Sequence, residues 1–159
     1  MLAKLDGGGI DASAAIIAGL NDPAAQVRAA AIEAVVVVER RRNAVPAPLV
    51  AALVKQLSAP DPRWADRRLA VLALGRLGGD TAATLAKAAK DTSSFVREAV
   101  AQALPPGAVD LLLELSRDEV AQVRAAAATT LKASPDERAR KRRAELTQDP
   151  DLTVRAAAN

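Results

Sequence analysis

The sequence predicts an all-α protein: a right-handed α-α superhelix of about four to five helix pairs, stacked as a solenoid and incomplete at both ends. Three observations lead there. A short pattern returns along the chain at intervals of roughly 30 residues, the apolar content is high yet nearly free of aromatics, and no stretch keeps the period-2 alternation of a strand.

The pattern is clearest in LNDPAAQVRAAA, Leu20 to Ala31: an Asp, an apolar residue five positions on, then Arg, then small residues. Asp22/Val27/Arg28 is echoed by Asp91/Val96/Arg97, Asp118/Val123/Arg124 and Asp149/Val154/Arg155. A degraded copy has Asp61, Asp66 and Arg67, with an acid in place of the Val. The Asp residues are spaced by 39, 30, 27 and 31 positions. Each copy reads as a helix start, with Asp accepting from the free N–H groups of the first turn. Pro23, Pro62 and Pro150 follow their Asp and would stand at the first helical position, where the missing N–H costs nothing. The Val and Ala residues then form a small apolar stripe that one helix cannot bury alone, so stacking of neighbours completes the core.

Each Arg lies about 100° around the helix from its Val, with its fork available to the Asp or the turn carbonyls of an adjacent repeat. The series Arg28, Arg67, Arg97, Arg124 and Arg155, matched by Asp22, Asp61, Asp91, Asp118 and Asp149 at near-constant offset, is read as a structural ladder. A ligand-facing stripe is the alternative.

This D-P-x-x-x-V-R-x-A-A pattern, continued in DPRWADRRLAVLALGRLGG (Asp61 to Gly79), resembles HEAT repeats. More narrowly it is similar to the short bacterial type also found in phycobilin lyase subunits. The resemblance covers nearly the whole chain. It implies a helical scaffold for binding proteins, with some members that bind nucleic acid or assist pigment attachment.

Composition narrows the function. Hydrophobic residues make up 50% of the chain and aromatics 1%, so Ala, Leu and Val must build a thin core by close helix approach. Val35 to Val38 is a β-branched run, but it lies inside a helical pattern, and burial is expected to override its strand propensity. There is no Cys and no His. That removes disulfides, thiolate and imidazole catalysis and the usual zinc and haem sites, so no cofactor and no metal are expected. No apolar run approaches the roughly 20 residues needed to cross a bilayer. The N-terminus does not read as a secretion signal, which makes cytoplasm the default compartment. The net charge of +3 does not by itself imply nucleic acid.

Along the chain, residues 1–10 with Gly7-Gly8-Gly9 are expected to be flexible, and units are expected near 11–20, 21–59, 60–90, 91–116, 117–148 and 149–159. Ala12 to Leu20 reads as the second helix of a repeat. Pro23 to about Arg42 is the longest helix, ending in Arg40-Arg41-Arg42-Asn43, and Ala44 to Pro48 is a stiff connector. Leu49, Leu53 and Leu57 mark the next buried stripe, and Leu69, Leu72 and Leu77 are expected to carry the one after, until Gly78-Gly79 ends it. Short helices follow over Thr81 to Lys90, Ser94 to Leu104, Ala108 to Ser116 and Glu119 to Ala133, with a break at Pro105-Pro106-Gly107. Ser134-Pro135-Asp136-Glu137 reads as a capping box with Ser134 as the cap of a basic helix running to Gln148. In that helix Ala139 and Leu146 define the buried side, Arg142 and Arg143 flank it, and Arg140 and Lys141 point to solvent.

The leading functional reading is a non-enzymatic scaffold or protein-binding module whose second helices line a concave surface. Trp64, the only Trp, either covers a repeat edge or serves as an exposed contact, with Arg63 and Arg68 beside it. The alternative is nucleic-acid binding through two basic clusters, Arg40, Arg41 and Arg42, and Arg138, Arg140, Lys141, Arg142 and Arg143. Nearby Glu residues and the lack of stacking aromatics weigh against it. A DNA glycosylase-like role would rest on Trp64 with Asp66 alone, and a phycobilin lyase-like role lacks His and Cys to handle a tetrapyrrole. HEAT-like hydroxylases that bind iron through His-Glu pairs are excluded by the absence of His. Self-association through the terminal repeats is a further option.

Overall fold

Asp22, Asp91, Asp118 and Asp149 each shape the turn ahead of the helix that follows, because the carboxylate is used outside the helix. The computed structural model describes residues 12–42, 47–59, 63–77 and 81–159; the side chains of residues 12 and 38–42 lie outside that description. The described helices are α1 (Ala12–Leu20), α2 (Ala25–Arg42), α3 (Ala47–Gln56), α4 (Trp64–Leu77), α5 (Ala82–Ala88), α6 (Ser94–Ala103), α7 (Val109–Leu115), α8 (Ala121–Leu131), α9 (Glu137–Leu146) and α10 (Leu152–Ala158). The expectations for residues 1–10, Asn43, Asp61, Pro62, Gly78 and Gly79 fall outside the described residues, as does most of the expected connector.

Oδ1 of Asp22, Asp91, Asp118 and Asp149 accepts the N–H of Ala24, Ser93, Val120 and Asp151 at 2.8, 2.8, 2.9 and 2.9 Å. Ser93, Val120 and Asp151 are extended, and α6, α8 and α10 begin at the next residue. This corrects the expected capping. Pro23 and Pro150 accordingly stand two residues ahead of α2 and α10, within the turn. Likewise Asp136, not Ser134, caps α9, accepting Arg138 N–H at 2.8 Å, while Ser134 is buried and accepts Asp136 N–H at 3.3 Å.

The helices form two rows. In the first row α2, α4, α6, α8 and α10 pack side by side in order. The second row is α1, α3, α5, α7 and α9, and each of these helices packs on the first-row helix that follows it. Small residues permit the close approach. A Cβ at Gly75 of α4 would lie 2.5 Å from Cβ and 2.9 Å from the carbonyl oxygen of Ala103 in α6, so only glycine fits this crossing. Thr130 of α8 adds a cross-helix bond, its hydroxyl donating to Ala101 O at 2.8 Å.

The core runs along the seam between the rows, from Leu20, Ile32, Val35, Leu49, Leu53 and Leu74 through Val71, Leu85, Val100, Leu112 and Leu131 to Leu146, Val154 and Ala158. Each fully buried Leu here stabilises the fold by roughly 1.5–3 kcal/mol relative to exposure. In α4 the buried side is Ala70, Val71, Ala73 and Leu74 together with Asp66 and Arg67. Leu69, Leu72 and Leu77 are half-buried at its margins, which corrects the stripe expected from sequence. No helix among the described residues is long and apolar enough to cross a membrane.

Candidate functional site

The Asp turns and the Arg residues meet across successive repeats. Arg67 Nε and Nη2 donate to Asp91 Oδ2 and Oδ1 at 2.7 and 2.9 Å. Arg97 meets Asp118 in the same way at 2.7 and 2.9 Å, and Arg124 meets Asp149 at 2.9 and 2.9 Å. The remaining nitrogen, Nη1, turns back to carbonyls preceding its own helix. Arg97 reaches Asp91 O and Thr92 O at 2.9 and 3.3 Å, Arg124 reaches Asp118 O and Glu119 O at 2.9 and 3.0 Å, and Arg67 reaches Ala59 O at 3.0 Å. One guanidinium therefore fixes its own turn and grips the next, and one carboxylate holds its turn and receives the preceding Arg. Such bidentate, charge-assisted pairs set distance and orientation together. Arg124 holds the Asp149 carboxyl below its usual range against the opposing effect of burial. At Asp118 burial alone would push the carboxyl up, but Arg97 and the Val120 N–H prevail and hold it down.

The variant copy uses its substituted acid. Position five after each Asp faces the preceding repeat, where Val96, Val123 and Val154 are fully buried. Asp66 occupies that position and receives Arg28 Nε at 2.8 Å and Arg63 Nε at 2.6 Å. Arg28 Nη1 holds Asp22 O and Pro23 O at 2.9 and 2.7 Å. Arg63 also reaches Gln56 Oε1 at 3.1 Å, and Gln56 Nε2 donates to Leu20 O at 3.0 Å, closing the last turn of α1. What sequence read as a degraded copy is thus a junction in which an acid on the helix, Asp66, receives the Arg of the preceding repeat. Asp66 is buried beneath two guanidinium groups, which leaves the Trp64–Asp66 pair without an exposed acid.

Trp64 begins α4 and Phe95 is the second residue of α6, so the packing of these neighbours brings their rings together. The centroids are 4.7 Å apart with planes at 25°, a stacked pair. Trp64 is 37% exposed and Phe95 52%. The chain's only Trp and only Phe are therefore on one surface, beside the ladder at the N-terminal ends of two first-row helices. Arg63 lies at its edge but is committed to Asp66, and Arg68 is half-buried. Sequence reasoning singled out Trp64 and missed Phe95. The available signal was Phe95 standing four residues after Asp91, close to the register of Trp64 after Asp61.

The basic cluster of α9 lies apart, in the other row, and much of it is structural. Arg142 Nε and Nη2 donate to Ser116 Oγ and O, both at 2.8 Å, and Nη1 reaches Glu145 at 2.9 Å, tying α9 to the end of α7. Arg143 donates to Ala158 O at 3.2 and 2.9 Å, holding the last turn of α10. Arg138 bridges Asp136 and Asp110 at 2.9 and 2.7 Å. Arg140 and Lys141 are exposed. The side chains of Arg40, Arg41 and Arg42 lie outside the described residues.

With the repeats and their junctions in view, the fold class is plain: this is a HEAT-like α-α solenoid. The family described as HEAT repeats matches residues 50–109, and that described as HEAT repeat associated with sister chromatid cohesion matches residues 13–35. Among solved structures, the complex of CpcE and CpcF of phycocyanin lyase from Nostoc sp. PCC7120 contains a chain similar to this one. The identity is 22%, the TM-score is 0.73, and the match covers 94% of this chain and 97% of that one. YibA of E. coli is similar at 20% identity and a TM-score of 0.68, over 95% of this chain and 58% of that one. At these identities the likeness is one of fold. No curated protein matches the sequence significantly.

Proposed function

We propose that this chain is a non-catalytic scaffold that binds a protein partner through the surface carrying Trp64 and Phe95. One observation carries the reading: a chain with 1% aromatic residues places its Trp and its Phe, stacked, where solvent reaches both. Aromatic anchors of this kind supply much of the energy of protein interfaces at little cost in side-chain entropy. The ladder beside them holds α4 and α6 in fixed register, so the platform is organised before a partner arrives. The site lies at the ends of first-row helices, a different place from the second-row surface that repeat architecture alone suggested. The α9 cluster supports nucleic-acid binding less well, because Arg138, Arg142 and Arg143 already serve protein groups.

The test is affinity capture from a lysate with the wild-type chain and a Trp64→Ala/Phe95→Ala variant, beside a salt titration against duplex and single-stranded nucleic acid. Proteins retained by the wild type and lost by the variant support the reading. Equal retention by both overturns it. So does micromolar nucleic-acid binding that weakens steeply with salt and vanishes when Arg140 and Lys141 are neutralised.

A further inference from the structure

Asp22 and Arg155 each carry one half of the junction that joins the repeats. Arg155 Nη1 donates to Asp149 O and Pro150 O at 2.6 and 3.0 Å, as Arg124 Nη1 does to Asp118 O and Glu119 O, so the guanidinium is pre-set by its own turn. Among the described residues, however, no carboxylate meets its Nε and Nη2 edge. Asp22 Oδ1 accepts Ala24 N–H at 2.8 Å, the same turn that Asp91, Asp118 and Asp149 make. Among the described residues no guanidinium reaches it.

The apolar surroundings are complementary in the same sense. Val27, five residues after Asp22, is 42% exposed, whereas Val96, Val123 and Val154 at the equivalent positions are 0% exposed because a preceding first-row helix covers them. Leu152 in α10 is 74% exposed, whereas Ala121, its counterpart in α8, packs against the cluster containing Val154 in the following repeat. One face thus offers a carboxylate in an Asp turn beside an uncovered Val. The other offers an oriented guanidinium beside an uncovered Leu.

We infer that two copies of this chain associate head to tail, with Arg155 and Leu152 of one copy meeting Asp22 and Val27 of the next, so that the contact reproduces the Arg97–Asp118 junction between molecules. The charges are complementary, and the geometry of the contact is already realised within the chain at Arg67–Asp91, Arg97–Asp118 and Arg124–Asp149. The surface is separate from Trp64 and Phe95, so this inference stands independently of the proposed partner site. A head-to-tail contact uses two different faces and leaves one of each unused, so it propagates instead of closing as a two-fold dimer does.

The experiment is sedimentation velocity on the 159-residue chain from about 1 μM to about 1 mM, at low and high salt. The expected result is a mean mass that rises with concentration beyond the dimer and falls with salt. D22R and R155D should each weaken self-association by about tenfold or more. Mixed in equal amounts they should restore it, since the reversed pair forms in one direction and the native pair in the other. Circular dichroism checks that α10 remains folded. If R155D loses it, Leu152→Glu serves in its place and should weaken association alone. A monomer across the whole range overturns the inference, as does association that stops at the dimer, or folded variants whose mixture stays monomeric.

Discussion

Trp64 and Phe95 stack with ring centroids 4.7 Å apart across the α4–α6 contact while both remain open to solvent. Such a pair contributes about 0.5–1.5 kcal/mol beyond its buried area. Trp64→Ala and Phe95→Ala are each expected to lower stability by about 1 kcal/mol, with the double variant costing less than their sum. Urea unfolding followed by circular dichroism measures this. A loss above about 3 kcal/mol for either would place the residue in the core and remove it as a contact surface.

Asp66→Val restores the residue type found at this position in the other copies, yet it is expected to destabilise by about 3 kcal/mol. The buried Arg28 would lose the carboxylate that meets its Nε, and an uncompensated buried charge costs more than the regained apolar contact returns. Asp66→Asn should fall between the two. Wild-type stability in Asp66→Val would mean that Arg28 finds another partner.

Gly75→Ala sets two effects against each other. Helix propensity favours Ala by about 1 kcal/mol, but its Cβ would stand 2.5 Å from that of Ala103. Separating two close-packed helices costs about 1–3 kcal/mol, so a net loss is expected. A gain in melting temperature would show that α4 and α6 can move apart freely.

Acid should unfold the chain in a defined window. Asp149, hydrogen-bonded by Arg124, and Asp118, held down by Arg97 despite its burial, both have folded-state pKa values below the ordinary one. A depressed carboxyl contributes stability that is complete above its unfolded pKa and is lost as pH falls through its folded pKa. With no His to titrate, the urea midpoint should be flat from about pH 8 to about pH 5 and fall below about pH 4. Asp149→Asn should flatten the acid limb.

Much of this was legible in the sequence, for a physical reason. The ladder needs Asp in a turn and Arg one helical step beyond the Val, and such local geometry imposes a fixed offset that repeats visibly at Asp91/Arg97, Asp118/Arg124 and Asp149/Arg155. The Asp66 junction was hidden because its acid stands on the helix face, where the other copies carry Val, so the pattern looked damaged where the chemistry was kept. Phe95 was hidden because its contact with Trp64, 31 positions away, depends on the register between two helices, which no single segment encodes. From spacing alone Arg142 is a flanking cation, because its partner Ser116 sits at the end of another helix. The capping error at Ser134 and at the recurring Asp has one source: an Asp-rich turn satisfies N–H groups one step before the helix, and composition alone does not distinguish the two placements.

The measurement that bears most directly on the ladder is a double-mutant cycle on Arg97→Ala and Asp118→Ala, by urea unfolding at neutral pH. The geometry predicts that each single variant loses about 2–4 kcal/mol and that the double variant loses about 2 kcal/mol less than their sum, a coupling of about 2 kcal/mol. Losses that add to within about 0.5 kcal/mol would contradict it, since Arg97 and Asp118 would then act independently and the repeats would be held by apolar packing alone.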